Sequence, residues 1–295
     1  MAIGDQTMLK DYKKHVEERA KQNIPPLPLD AEQTSNLVDL LKSEHEESDL
    51  LLYLLKERVP AGVDQSAYVK AAFLADITTE KTTSPYISKT EAVEILGTML
   101  GGYNIEPLIK CLEIEGLGQS AANALGNTLL IFDAFNEIFE LSKKNKYAKH
   151  VIDAWAEGKW FTEKTDIDKQ IKLTVYKVPG EINTDDLSPA TDAWSRPDIP
   201  LHALAMFKMP REGLDRPLET IEELKKKGNP LVFVGDVVGT GSSRKSATNS
   251  VLWHMGDEIP HIPNKKEGGF CFGGKIAPIF FNTLEDSGAF PIEMD

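Results

Sequence analysis

The stretch Leu231-Val-Phe-Val-Gly-Asp-Val-Val238, followed by Gly239-Thr-Gly-Ser-Ser-Arg-Lys-Ser246, decides the fold of the second half of this chain. Its first eight residues are a continuous apolar and β-branched run, which is typical of a strand buried inside a sheet. After the glycines, apolar residues recur on one helical face as far as Met255, and Gly256 follows the last of them. The sequence therefore predicts a strand, a glycine loop and a helix in succession.

The glycine loop is a candidate anion-binding site. Glycine allows tight turning, and the first N–H groups of a helix lack intrahelical partners, so they favour negative charge. Ser242, Ser243 and Arg244 occupy this position. Carboxylate and phosphate are therefore the expected ligands.

Three other interpretations of the loop compete with this one. A phosphate-binding P-loop ends in Gly-Lys-Ser/Thr, whereas here the lysine follows Arg244. A dinucleotide-binding loop requires a third glycine at the position of Arg244. A plain turn in which Ser242 is only the N-cap of the helix is as good an explanation of the local sequence, because serine is a common cap.

A second polar cluster comprises Asn183-Thr-Asp-Asp-Leu-Ser-Pro-Ala190 and Asp192-Ala-Trp-Ser-Arg-Pro-Asp198. Its prolines and polar residues predict an irregular loop, and a surface loop rich in Asx turns is the simplest interpretation. Trp194 beside Arg196 argues instead for a partly buried loop that orients the guanidinium group, as a bidentate carboxylate clamp requires.

Composition limits the class of protein. A chain of 295 residues predicts two domains, and a net charge of -13 with a pI near 5.0 favours a small anionic ligand over long nucleic acid. The two cysteines, Cys111 and Cys271, are too few for a four-cysteine metal or iron–sulfur site. No leader-like segment or long apolar span is visible, which predicts a cytoplasmic protein with reduced thiols and no membrane contact.

The first half of the chain has helical periodicity throughout. Asp30, with Gln33 three residues later, predicts a capped helix start. Successive helices with short breaks are typical of an α-solenoid of HEAT-like character. The expected helices after that start are 50–55, 68–77, 92–100, 105–112, 121–139 and 147–160.

The spacing of apolar residues changes from helical to strand-like after a polar stretch at 161–169, where we place the domain boundary. The predicted domains are a helical domain, 1–163, and an α/β domain, 168–295. Besides the central motif, the expected elements of the second domain are strands at 172–178, 276–281 and 291–295 and helices at 202–207 and 219–227. The final strand has no terminal cap or tail after it, so we expect this domain to be incomplete.

Taken together, Asn-Thr-Asp-Asp-Leu-Ser-Pro, Trp-Ser-Arg-Pro-Asp and Gly-Thr-Gly-Ser-Ser-Arg-Lys-Ser resemble the swivel domain of aconitases. The order of the two halves is similar to the bacterial B type, in which a HEAT-like domain precedes the swivel domain, and Gly97-Thr-Met-Leu-Gly-Gly-Tyr-Asn-Ile105 is part of that likeness. The resemblance implies an all-α HEAT-like solenoid followed by part of a β/β/α swivel domain, and it covers nearly the whole chain.

The resemblance also implies an activity and roles for individual residues. Aconitases interconvert citrate and isocitrate through cis-aconitate at a [4Fe–4S] cluster. Ser242 would be the base, acting as an alkoxide that backbone N–H groups and Arg244 stabilise. Ser243, Arg244 and Arg196 would bind substrate carboxylates together with Ser242, and Asp185 would act in the proton and water network. Asp186 stands where many aconitases have histidine, so the resemblance assigns it no role.

The cluster ligands of the family have no match in this chain, since Cys111 and Cys271 do not fit their spacing. The resemblance therefore implies the N-terminal part of a larger enzyme, inactive alone, whose substrates could include 2-methylisocitrate. It also allows a protein-interaction and RNA-binding regulator in the cluster-free form, with messenger RNA as partner and a homodimer through the helical domain. The acidic charge balance argues against strong RNA binding by this part.

Overall fold

The computed structural model describes residues 3–129, 131, 134–163 and 168–294. It divides into two compact units. The helical unit contains the described parts of Met1–Glu17, Pro28–Ile167 and Pro260–Pro263, and the α/β unit contains those of Glu18–Leu27, Asp168–Ile259 and Asn264–Asp295. The predicted boundary includes residues 164–167, which lie outside the described residues. The domain limits 1–163 and 168–295 therefore stay a prediction.

The first part of the chain is helical, as its periodicity predicts. The helices are α1 (Ile3–Ala20), α2 (Ala31–Leu40), α3 (Ser48–Tyr53), α4 (Gln65–Thr78), α5 (Lys89–Gly97), α6 (Ile105–Cys111), α7 (Gly118–Gly126), α8 (Phe135–Ser142), α9 (Lys146–Glu157) and α10 (Lys159–Thr162). A π-helical segment, Leu54–Arg58, continues α3. Leucine, isoleucine and alanine side chains from these helices form one buried cluster. The all-α class is confirmed for this part, while HEAT-like stacking stays a prediction.

Helix ends follow local chemistry. The predicted start at Asp30 is confirmed, because its carboxylate accepts from the Gln33 N–H at 2.8 Å and the Gln33 side chain bonds back to the Asp30 N–H. The single helix predicted over 147–160 is wrong, because Gly158 adopts a left-handed conformation (φ 63°) and ends α9.

The single helix predicted over 121–139 is also wrong. Helix α7 ends at Gly126 and α8 starts at Phe135. The side chain of Thr128, just after α7, bonds back to the carbonyl of Ala124. Residues 130, 132 and 133 of this predicted helix lie outside the described residues. Apolar periodicity on both sides of the break made two helices look like one.

The α/β unit is built on a four-stranded parallel sheet. In spatial order its strands are β1 (Thr174–Asn183), β2 (Leu231–Thr240), β5 (Phe270–Ile276) and β6 (Phe290–Glu293). The short β3 (Asp257–Glu258) and β4 (Lys266–Glu267) form a separate antiparallel pair. Its helices are α11 (Thr184–Leu187), α12 (Ile199–Ala203), α13 (Pro217–Lys225), α14 (Lys245–Met255) and α15 (Pro278–Asp286). The apolar run at 231–238 is confirmed as a buried central strand.

One strand was predicted in the wrong place. The segment 276–281 is the end of β5 and the start of α15, whose first residue is Pro278. The true strand contains Gly273 and Gly274, which weaken its apolar pattern. A Cβ at Gly274 would lie 2.8 Å from the Asp236 carbonyl oxygen, so close strand approach requires glycine there.

The predicted helix at 202–207 is displaced, since α12 starts at Ile199 and ends at Ala203. Asp198 caps it and forms a bidentate ion pair with Arg19, whose Nη1 and Nη2 lie 2.5 and 2.9 Å from the two carboxylate oxygens. Both side chains are largely buried, at 8% and 15% exposure. Arg19 also donates from Nε to the Pro25 carbonyl at 2.8 Å. Residues 18–27 are thus bound into the α/β unit by charge-assisted hydrogen bonds.

His254 should make the stability of the α/β unit fall with acidity. Burial lowers the pKa of this histidine to about 4. The unfolded imidazole takes up a proton near pH 6.5, so unfolding becomes easier as the pH falls from about 6.5 towards 4, by about 2 kcal/mol at pH 5. His254→Gln should remove this part of the pH dependence in urea unfolding between pH 8 and 5. Equal slopes for the variant and the original protein would contradict the assignment.

Candidate functional site

Four of the predicted site residues, Asp185, Ser242, Ser243 and Arg244, lie together at one edge of the sheet, whereas Arg196 makes no described contact with them. Because β1, β2 and β5 are parallel, their carboxyl ends lie side by side, and such edges are where α/β proteins bind ligands. A cavity of about 220 Å³ opens there. Its lining residues come from the end of β2 and from the loops and helices that follow the strands: Thr184, Gly239, Gly241, Ser243, Arg244, Ala277, Pro278, Ile279, Phe280 and Thr283.

The glycine loop has a conformation that requires its glycines. Gly239 and Gly241 have φ values of 80° and 89°, in the left-handed region. The carbonyl of Ser242 accepts a hydrogen bond from the buried hydroxyl of Thr184 at 2.7 Å, which ties the loop to the end of β1. The side chains of Ser242 and Ser243 are exposed to solvent.

The interpretation of Ser242 as a simple helix cap is wrong. Helix α14 begins at Lys245, and its N-cap residue is Arg244, which makes no side-chain capping bond. The two serine hydroxyl groups are therefore not used as caps of this helix; both residues are exposed, and Ser243 lines the cavity.

Arg244 is held by two acceptors. Its Nη1 donates to the carboxylate of Asp185 and, at 2.9 Å, to the carbonyl of Ser188. The hydrogen bond from Arg244 is the main reason why the pKa of Asp185 is lowered, and the charges of Arg244 and Arg196 act in the same direction. The Asp185 carboxylate is 57% exposed, whereas Arg244 is 18% exposed. A carboxylate from a ligand could therefore compete with Asp185 for the guanidinium group.

Arg196 follows a 3-10 helix, Ala190–Ser195. Its Nε is buried and makes no hydrogen bond to the described residues. The loop is partly buried, as expected, since Ser195 is 4% exposed, but Trp194 does not bury it, because its own side chain is 73% exposed. Arg196 as a whole is only partly exposed, and the planar shape of its guanidinium group suits it to bind a carboxylate.

Asp186 has a structural role. The Asn183 carboxamide caps α11, and the Asp186 carboxylate accepts the Asn183 N–H at 2.9 Å in return. Arg211 donates to the same carboxylate at 3.1 Å and to the Pro179 carbonyl at 2.8 Å. The predicted irregular loop is thus a capped helical turn followed by a 3-10 helix, because local side-chain bonds replace longer elements.

Sequence reasoning missed a buried set of hydroxyl groups around His202. Ser188 Oγ lies 2.8 Å from His202 Nε2 and 2.7 Å from Ser246 Oγ, and Ser195 Oγ lies 2.8 Å from His202 Nδ1. Ser188, Ser195 and His202 are buried. The available signal was a histidine and two serines close to a predicted binding loop, but spacing alone does not show that their side chains meet.

The described residues do not fit an iron–sulfur cluster. Cys111 and Cys271 are buried and belong to different units, and burial raises the pKa of both thiols, to about 12 for Cys271. Within the described ranges, no group of three or more His, Cys, Asp or Glu side chains could hold a metal ion. None of the described helices has the length and apolar character needed to cross a membrane.

Comparison with known proteins identifies the family. Residues 11–161 match the family described as "Aconitate B N-terminal domain", and residues 173–295 match that described as "Aconitate hydratase 2 N-terminus". The chain belongs to the aconitase B family. Both matched regions are N-terminal in their families, as the sequence resemblance implied.

Full-length members of the aconitase B family are close relatives. The proteins named aconitate hydratase B from Pseudomonas aeruginosa and Escherichia coli are 59% and 58% identical over 297 residues, which is 98% of this chain and 34% of each relative. That of Helicobacter pylori is 51% identical over 289 residues, 97% of this chain and 34% of the relative. The chain thus spans about a third of the length of the curated relatives it matches.

Proposed function

We propose that this chain supplies the carboxylate-binding and base residues of an aconitate hydratase that interconverts citrate and isocitrate through cis-aconitate. The observation that carries the proposal is the arrangement at the sheet edge, where Arg244 pairs with an exposed Asp185 next to two exposed serines. The family supports it, since its curated members are named for this reaction.

Each residue has a distinct part in this proposal. Arg244 and Ser243 hold one carboxylate of the tricarboxylate, and Arg196 holds another. Ser242 accepts the proton that leaves the substrate carbon. The backbone N–H groups of the loop and the positive charge of Arg244 favour its alkoxide form. Asp185 exchanges with the incoming carboxylate and then orients water or a proton near the serines.

The family resemblance implies a [4Fe–4S] cluster, which would supply the Lewis-acid site for the departing hydroxyl group. The two buried cysteines do not fit as its ligands. We therefore place the ligands in the part of the relatives that this chain does not cover, and we expect these 295 residues to bind tricarboxylate without converting it. The same arginines would accept the carboxylates of 2-methylisocitrate.

Citrate binding to this chain tests the proposal. In NMR titrations, citrate should shift the backbone amides of residues 239–246. Arg244→Ala and Arg196→Ala should each weaken binding by about 10- to 100-fold, because each removes hydrogen bonds between charged groups. Arg216→Ala is the matched control, since this arginine is exposed and its ion pair among the described residues is with its neighbour Asp215. Citrate shifts that spare the loop, or survive in both arginine variants, would refute the proposal.

A further inference from the structure

The hydrogen bonds around His202 form a continuous chain. It runs from the first turn of α14 to the 3-10 helix: Ser246 Oγ to Ser188 Oγ, Ser188 Oγ to His202 Nε2, His202 Nδ1 to Ser195 Oγ, and Ser195 Oγ to the Asp192 carbonyl, at 2.7, 2.8, 2.8 and 2.8 Å. Ser188 is fully buried and His202 is 2% exposed. A buried polar network of this kind holds its members in one arrangement only when every donor meets an acceptor.

The donor and acceptor in each hydrogen bond can be assigned by starting from the Asp192 carbonyl at one end of the chain of bonds. The Asp192 carbonyl can only accept, so Ser195 donates to it, and the Ser195 oxygen must accept from His202. Nδ1 of His202 therefore carries the proton. Burial, followed by the charge of Arg196, lowers the pKa of this ring, which keeps it neutral and leaves Nε2 as an acceptor. Ser188 then donates to Nε2 and accepts from Ser246.

Ser188 connects this chain to the candidate binding site. Its N–H donates to the Thr184 carbonyl at 2.9 Å, and its own carbonyl accepts from Arg244 at 2.9 Å. Pro189 follows, so the next residue has no N–H of its own to hold this peptide. The position of the carbonyl that orients Arg244 therefore depends on the anchoring of the Ser188 side chain by His202 and Ser246.

We propose that His202 is a positioning residue: as a neutral ring protonated on Nδ1, it anchors Ser188 and so holds Arg244 in the orientation that pairs with Asp185 and receives a carboxylate. His202 does not act as a base on the substrate, because it is buried and both of its nitrogens are occupied by serines. Ser188 is likewise too buried to be a nucleophile.

Two substitutions at His202 distinguish the roles of the two ring nitrogens, because each keeps the hydrogen bond of only one of them. Glutamine can place its oxygen near the Nε2 position and keep the bond from Ser188, whereas asparagine can place its amide nitrogen near Nδ1 and keep only the bond to Ser195. The measurement is a pH titration of the Asp185 carboxyl carbon followed by NMR. It reports on Arg244, because the hydrogen bond from Arg244 is the main cause of the lowered pKa of Asp185. In His202→Asn this pKa should rise towards the ordinary aspartate value. In His202→Gln it should stay low.

Ring nitrogen NMR shifts of the unsubstituted protein add a direct check, and they should show His202 protonated on Nδ1 only.

Ser188→Ala removes the same anchor without changing the histidine, so it serves if His202→Asn does not fold. It should also raise the pKa of Asp185. The matched control is His254→Asn, because His254 is also buried but bonds to the Ala203 carbonyl instead of Ser188. An unchanged Asp185 pKa in His202→Asn and Ser188→Ala, or an equal rise in His254→Asn, would overturn the proposal.

A further experiment, citrate binding to the same His202 variants, rests on the proposed function. His202→Asn should weaken citrate binding by about fivefold, as expected for the loss of one net hydrogen bond, while His202→Gln binds as the original protein does. If citrate does not bind the original protein at the loop, the proposed function fails, but the Asp185 titration still decides the role of His202. If citrate binds and both His202 variants match the original protein, the positioning role fails alone.

Discussion

Arg19→Ala should lower the free energy of unfolding of the α/β unit by about 3–5 kcal/mol, because it leaves the buried Asp198 carboxylate without its partner. The ion pair is bidentate and largely buried from solvent, and Asp198 also caps α12, the helix that carries His202. The loss should therefore loosen α12 as well as residues 18–27. Urea unfolding measures the effect, and amide exchange of β2 reports on this unit separately from the helical one.

Two further variants define what the Arg19 result means. Lys149→Ala breaks an exposed i,i+4 pair with Asp153 and should cost less than about 0.5 kcal/mol. Arg19→Met combined with Asp198→Asn removes both charges and keeps a capping side chain, so it should be more stable than Arg19→Ala. A loss of stability for Arg19→Ala no larger than that for Lys149→Ala would show that the ion pair is not buried in solution.

Gly239→Ala should lower the free energy of unfolding by about 2–5 kcal/mol and displace the binding loop. A left-handed backbone costs a residue with a side chain about 1–2 kcal/mol, and overpacking adds about 1–3 kcal/mol. Gly239 has φ 80°, and its added Cβ would lie 2.3–2.5 Å from Phe280. Phe280 is itself 3% exposed at the start of α15, so an added Cβ at Gly239 would have to displace a packed ring.

Gly228→Ala is the matched control, because Gly228 has φ 75° and no atom within 4 Å of an added Cβ. It should show only the backbone cost of about 1–2 kcal/mol. The difference between the two variants, measured by urea unfolding, gives the energy of the contact with Phe280. Citrate titration of Gly239→Ala should show weaker binding at the loop. Equal destabilisation by the two alanines would contradict the close packing.

Much of the fold follows from local patterns. The buried strand at 231–238, the capped start at Asp30 and the change from helices to a sheet were predicted from apolar periodicity and turn residues. These features depend on near neighbours in the chain, so sequence reasoning can reach them. Predictions failed at the displaced strand, where glycines in β5 conceal its pattern, and at the two helices that break into shorter ones.

The candidate site was predicted unevenly. Loop motifs and family resemblance named Asp185, Arg196 and the serines, and the structure brings Asp185 to Arg244 across the ends of two parallel strands. The roles of these residues stay predictions. Sequence patterns give His202 no role, because Ser188 follows α11 and Ser195 ends the 3-10 helix, and only the fold brings these side chains to the histidine on α12.

The sequence by itself determined the type of each half, the position of the central strand and the glycine loop, and the family resemblance. Hydrophobic period, caps and glycine placement are properties of short segments, so they are readable without a fold. Only the tertiary structure decided that Arg19 pairs with Asp198, that Asp186 is a structural acid, and that His202 connects to Arg244 through Ser188. The reason is physical: buried charges and hydroxyl groups take whichever partners the packing of the sheet and its helices brings within hydrogen-bond distance.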